Sequence, residues 1–177
     1  MKKAILSAAV LAGLIFCGST SVATADDFTL QSNSFEDGAT IPNEFVHRNC
    51  GGQNRQPHLS WSNAPSGTKS FALVMDDPDA QSVVGYTWVH LNAYNIPLDV
   101  SEVLEGDKIQ GAKYGQNHGK VKRYSGPCAP KGSHTYIFAI YAMSDKITLK
   151  KAHNRSKFEK VFSDIIVGKA EYTGTWR

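Results

Sequence analysis

The sequence predicts a mostly β protein: a β-sandwich with a few peripheral helices, one of them near the C-terminus. Three observations point there. Short apolar or alternating runs at residues 58–62, 71–75, 88–94 and 134–142 are each bounded by proline, glycine, asparagine, aspartate or serine. One convincing segment, around residues 156–166, carries apolar residues at helical spacing. That segment comes late, after most of the strands, so the strands must find their burial against one another.

Taken in order, the chain opens with Met1-Lys2-Lys3, an apolar run over residues 4–16 and then Ala23-Thr24-Ala25. A basic start, a short apolar stretch and small residues at the cleavage positions predict a secretory signal peptide over residues 1–25. The single domain then occupies residues 26–177, and the expected location is periplasmic or secreted. Cleavage before Cys17 as a lipoprotein is disfavoured by the bulky Phe16. No other apolar run is long enough to span a membrane.

Phe28, Leu30 and Phe35 lie among polar residues and fit an opening strand. Glu36-Asp37-Gly38 is a turn, and Ile41-Pro42-Asn43 starts another extended piece. His58 to Ser62 alternates as a strand, followed by the turn cluster Asn63 to Thr68. Phe71-Ala72-Leu73-Val74-Met75 is a buried strand running into Asp76-Asp77-Pro78-Asp79-Ala80. Pro78 bars helix through Asp77. Adjacent aspartates repel, so the fold must hold them with hydrogen bonds or a cation.

Residues 98–125 are polar and glycine-bearing, and a stretch of that length in a compact domain reads as a functional loop region. Gly126 to Gly132 is rigid turn chemistry. The run from Ile137 is apolar on both faces, as in a central strand. Ser156-Lys157-Phe158-Glu159 has the capping-box pattern. Phe158, Val161, Phe162, Ile165 and Ile166 form the helical stripe, with Gly168 as its stop and a final strand over residues 170–176.

The formal charge is +3, and removal of Lys2 and Lys3 with the signal peptide leaves +1. Such a balance gives no electrostatic case for nucleic-acid binding. Cys50 and Cys128 remain after cleavage. In an exported domain they predict one disulfide; two free buried thiols are the alternative.

Two strand beginnings carry histidines beside other polar groups. By the strand period of two, His90, Asn92 and Tyr94 share a face, as do His134 and Tyr136. Asp77 ends a third strand. Where three such ends meet, two imidazoles, a phenol and a carboxylate make a small pocket suited to a phosphate-like group. His47, His58, His118 and His153 read as ordinary solvated or core-edge histidines. Asp79 is expected to hold its turn, Tyr94 and Tyr141 to pack, Trp61 and Trp88 to sit in the core, and Lys131 to be solvated.

These residues resemble the phosphatidylethanolamine-binding protein (PEBP) family, in its bacterial Raf-kinase-inhibitor-like branch. The resemblance rests on Asp77-Pro78-Asp79-Ala80, on the His90 strand ending Asn95-Ile96-Pro97, and on Gly126-Pro127-Cys128-Ala129-Pro130-Lys131-Gly132-Ser133-His134-Thr135-Tyr136. Cys50-Gly51-Gly52-Gln53-Asn54, Pro57-His58-Leu59-Ser60-Trp61 and Gly115-Gln116-Asn117 extend it over almost all of the mature chain. It implies a sandwich of two sheets with an anion cavity at one end, lined by Asp77, His90, Pro130, His134 and Tyr136. The implied partner is a phosphate-containing small molecule or a phospholipid head group. Departures from the family pattern fall at the cavity rim, at Gln81, Leu91 and Ala129.

The expected function is therefore an exported binding or regulatory protein. The alternative is an inhibitor of a protease or kinase that acts by protein contact on a target protein. Catalysis is not expected: no Gly-x-Ser-x-Gly elbow and no His-Glu-x-x-His motif occur. No cofactor is expected, although Asp77, His90 and His134 are chemically able to hold zinc.

Overall fold

The computed structural model describes residues 27–177, so the expected signal peptide and Cys17 lie outside the described residues. In chain order the elements are β1 (Thr29–Gln31), β2 (Leu59–Ser62), β3 (Ser70–Asp77), α1 (Gln81–Val84), β4 (Trp88–Ile96), β5 (Glu102–Val103), β6 (Lys113–Tyr114), β7 (His134–Met143), α2 (Arg155–Phe162) and β8 (Ile166–Trp176). They form a sandwich. One sheet has the order β1-β2-β5 and the other β6-β4-β3-β7-β8, with every pairing antiparallel.

The core between the sheets is built from Leu30, Leu59 and Trp61 of the small sheet against Leu73, Met75, Leu91 and Phe138 of the large one. The opposite face of the large sheet is covered by α2. Phe158 is fully buried there among Val74, Tyr94 and Tyr141. With both faces covered, β3 and β7 are buried almost end to end, which is why their sequences read as continuous apolar runs. No helix among the described residues is long and apolar enough to cross a membrane.

Several expectations need correction. The first helix residue is Arg155 and its cap is Asn154, whose side chain accepts the Lys157 amide at 2.9 Å. Ser156 lies inside the first turn. Glu159 does not complete a capping box, because its carboxylate takes the Tyr141 hydroxyl and the Lys169 ammonium. The helix ends at Phe162 rather than near Gly168. The carbonyl of Ile165 is captured by the Ser144 amide at 2.8 Å, so Ile166 and Gly168 begin β8. Ile41-Pro42-Asn43 leads into a 3-10 turn, Asn43–Phe45, not a strand.

The most consequential correction concerns β4. Met75 pairs with Leu91 but Asp76 pairs with Val89, so His90 is an extra residue without a partner. This is a β-bulge, and it breaks the alternation. Asn92 faces α2, holding the His153 backbone at both N–H (2.9 Å) and C=O (2.8 Å), and Tyr94 packs there too. His90 instead turns towards Tyr136, its ring 5.2 Å away and edge-on. The shared face of His90, Asn92 and Tyr94 predicted from period two does not exist.

The adjacent aspartates are separated onto opposite faces of β3. Asp76 is buried against the Arg155 backbone N–H and Nε, each at 2.8 Å. Burial raises its pKa, and Arg155 offsets only part of that. Asp77 faces the other way, into the site.

Candidate functional site

A cavity of about 410 Å³ opens beside the bulge. Four short segments, together with Gly119, make its walls. The end of β3 and α1 supply Asp77, Ala80, Val83 and Val84, and the start of β4 supplies Trp88 and His90. The loop before β7 supplies Gly126, Cys128 and Pro130, and the 3-10 turn Arg48–Cys50 with its cap supplies His47 and Asn49. Cys50 and Cys128 form the predicted disulfide, with a Cα–Cα separation of 5.5 Å. It ties the two loops that face one another across the cavity.

Gly126 shows why this loop must be so lean. A Cβ there would collide with the Phe45 carbonyl, so only glycine permits the backbone approach. Its amide donates to Asn54 Oδ1 at 2.8 Å, and the His47 amide donates to the Pro127 carbonyl at 2.9 Å. On the other flank, buried Asn117 donates to the carbonyls of His90 (2.8 Å) and Arg123 (3.1 Å).

Asp77, His90 and Pro130 line the cavity as the resemblance implies; His134 and Tyr136 do not, and stand behind it. His134 donates from Nδ1 to Asp77 Oδ2 at 2.7 Å, and Asp77 Oδ1 accepts the Ala80 amide at 3.0 Å. Tyr136 is fully buried beneath His90, and its hydroxyl makes no well-formed hydrogen bond, although the Cys128 and Ala129 amides face it. Burial raises its pKa, so it stays a neutral phenol.

His90 donates from Nδ1 to the Ser125 carbonyl at 2.7 Å. A carbonyl only accepts, so the neutral ring carries its proton there and presents a bare Nε2. Burial pushes the His90 pKa down to about 4, with the Ser125 bond and the Asp77 charge offsetting only part of the shift. His47 is the complement. Its Nδ1 accepts the Asn49 amide at 3.2 Å, so its neutral ring carries the proton on Nε2. The cavity therefore offers one imidazole acceptor and one imidazole donor.

His47 was missed by the sequence reading, which took it as ordinary. The available signal was the cysteine pairing, which brings the residues before Cys50 to the loop holding Pro130. Trp88 was expected in the core but is only half-buried, stacking on exposed Tyr86 at 6.0 Å between rings. His118 sits edge-on to both and accepts the Val89 amide at 2.9 Å. Asp79 was expected to hold its own turn; its side chain instead accepts the Thr135 amide at 2.7 Å, tying the turn to the start of β7. Among the described residues no cluster of three or more His, Cys, Asp or Glu is placed to hold a metal ion.

The family model described as "Phosphatidylethanolamine-binding protein" matches residues 31–177. The chain belongs to this family. Its PEBP relatives include a UPF0098 protein of Methanothermobacter thermautotrophicus, 33% identical over 84% of this chain and 97% of that protein. LppC of Mycobacterium tuberculosis, named as a lipoprotein, is 33% identical over 89% of this chain and 76% of its own length. Among solved structures, YbcL of Escherichia coli superimposes with a TM-score of 0.76 at 29% identity, covering 86% of this chain and 99% of YbcL.

Proposed function

We propose that this PEBP-family protein is an exported, non-catalytic binding protein whose cavity holds a phosphate-type head group, such as that of phosphorylethanolamine. The observation that carries the reading is the pair of imidazoles. A phosphate monoanion has P–O acceptors for the His47 Nε2–H and one P–OH donor for the bare Nε2 of His90. The ammonium of an ethanolamine group is a further donor that the Asp77 carboxylate is able to accept. Pro130 and the Val83–Val84 edge of α1 supply an apolar rim for the carbon atoms between.

His134 acts on the ligand indirectly, through Asp77. Their bond fixes the floor of the cavity, and the Asp77 charge favours a cationic ligand group nearby. Export is supported by the N-terminal signal pattern, by the disulfide, which persists in oxidising compartments, and by a relative named as a lipoprotein.

Calorimetric titration with phosphorylethanolamine tests the reading. The wild type is expected to bind, and His90→Ala and His47→Ala are each expected to lose about 1.5 to 3 kcal/mol, the range for hydrogen bonds to charged groups. Equal binding by both variants places the ligand elsewhere. No binding by the wild type removes the head-group reading and leaves inhibition of another protein as the function to test.

A further inference from the structure

A second cleft, of about 390 Å³, lies on the far side of the Arg48–Cys50 turn, and His47 and Asn49 line both cavities. It is cationic. Arg48, Lys108 and Arg123 all line it and are exposed, and none has a carboxylate within ion-pair distance among the described residues. Two neighbouring carboxylates are already taken: Arg55, which lies against Gly106 of the cleft, pairs with Glu44 at 2.5 Å and Glu105 at 3.4 Å. Asp107 is the one acidic residue in the lining, against three fixed positive charges.

The cleft wall also has an unused donor. Tyr114 Oη accepts the Ile109 amide at 2.7 Å, and its own proton has no acceptor among the described residues. Burial raises the Tyr114 pKa, so the hydroxyl keeps that proton. Gln56 lies in the same lining, only 6% exposed, and its amide makes a single long bond to the Pro57 carbonyl at 3.3 Å. Guanidinium, ammonium and hydroxyl donors that line one cleft, with no carboxylate paired to them, are the complement of an oxyanion.

We propose that this cleft is a second anion-binding site, taking a phosphate or carboxylate group on Arg48, Lys108 and Arg123 with Tyr114 as a hydrogen-bond donor. The site uses different charged side chains from the His90 cavity, so it stands apart from the head-group reading. Because His47 and Asn49 border both cavities, the anion is either a free ion or the second anionic group of one ligand lying across the turn.

The test is a titration of isotope-labelled protein with inorganic phosphate, followed by backbone amide signals. The amides of Gly106, Tyr114 and Arg123 are expected to shift, and the Arg48→Gln/Arg123→Gln double variant to lose those shifts while keeping any at Gly119 and Gly126. Both substitutions are on the surface, and the same spectra report the fold. A bisphosphate with a flexible alkyl spacer separates the two sources. If one ligand spans both cavities, it binds about a hundredfold tighter than phosphate, an advantage the double variant abolishes. If it binds no tighter, the site takes a free ion and the assignment stands. No shift at Gly106, Tyr114 and Arg123, or shifts undiminished in the double variant, overturns it, whatever happens at Gly119. Shifts at this cleft without any at Gly119 and Gly126 retain it and remove the head-group reading instead.

Discussion

His134 donates its Nδ1 proton to Asp77 Oδ2 across 2.7 Å, with both side chains almost wholly out of solvent. The other Asp77 oxygen holds the Ala80 amide. One carboxylate thus joins the end of β3, the entry to α1 and the start of β7.

The first prediction follows. Asp77→Asn keeps the shape but offers only one acceptor oxygen for two donors and can turn its own N–H groups onto one of them. It is expected to lower stability by about 1 to 3 kcal/mol, the range for an unsatisfied buried donor. His134→Ala is expected to cost at least as much, since it also leaves a cavity. Urea midpoints measure both. Wild-type midpoints would mean the pair does not hold the cavity floor.

The second concerns Asp76 and Arg155 on the opposite face. Removing one partner of a buried pair costs about 3 to 5 kcal/mol. Arg155→Ala is therefore expected to be strongly destabilising at neutral pH. The pH dependence has a definite sign. The folded pKa of Asp76 already lies above its ordinary value, and losing Arg155 raises it further. A raised carboxyl pKa favours the fold below the unfolded value, and that contribution is lost as pH rises through the folded value. The destabilisation of Arg155→Ala should shrink on acidification towards pH 4. A penalty independent of pH would mean that lost packing, not the stranded charge, causes it.

The third concerns the disulfide, which closes 78 residues. In the chain-entropy model it stabilises by roughly 4 kcal/mol. Because Cys128 lines the cavity, Cys50→Ser/Cys128→Ser should also weaken phosphorylethanolamine binding. Denaturant midpoints and titrations of the double variant measure the two effects. Undiminished affinity in the folded variant would show that the bridge serves stability alone.

The fourth separates two starts for α2. Asn154→Ala should cost about 1 kcal/mol, whereas Ser156→Ala should change stability by only a few tenths. The reverse ranking in urea would restore Ser156 as the cap.

Much of this was legible from residues. The β3 run is buried on both faces and stops at Pro78, and His134 and Tyr136 keep their period of two along β7. Cys50 and Cys128, the two cysteines beyond the expected signal peptide, pointed to the bridge. The face of His90 was not legible, because one unpaired residue inverts the alternation and nothing in the local composition announces it. α1 was missed because its Val83 and Val84 remain exposed, so no amphipathic pattern exists to read. The end of α2 was misplaced because Ile165 and Ile166 continue the helical spacing while the backbone has already joined the sheet. His47 gains its position from a contact distant in sequence, which periodicity does not carry.

The proposed function places a phosphate-type group between the His47 donor and the His90 acceptor. Its most direct test is the pH profile of phosphorylethanolamine affinity, from pH 4 to 8. With His90 held neutral down to about pH 4, the ligand's own second proton supplies the bond to Nε2. That proton leaves near pH 6. Affinity is therefore expected to be level between about pH 4 and pH 6. Above that it should fall by about tenfold per pH unit, with one proton taken up per ligand bound. A profile that is flat across pH 6, or that strengthens as pH rises, would contradict the site.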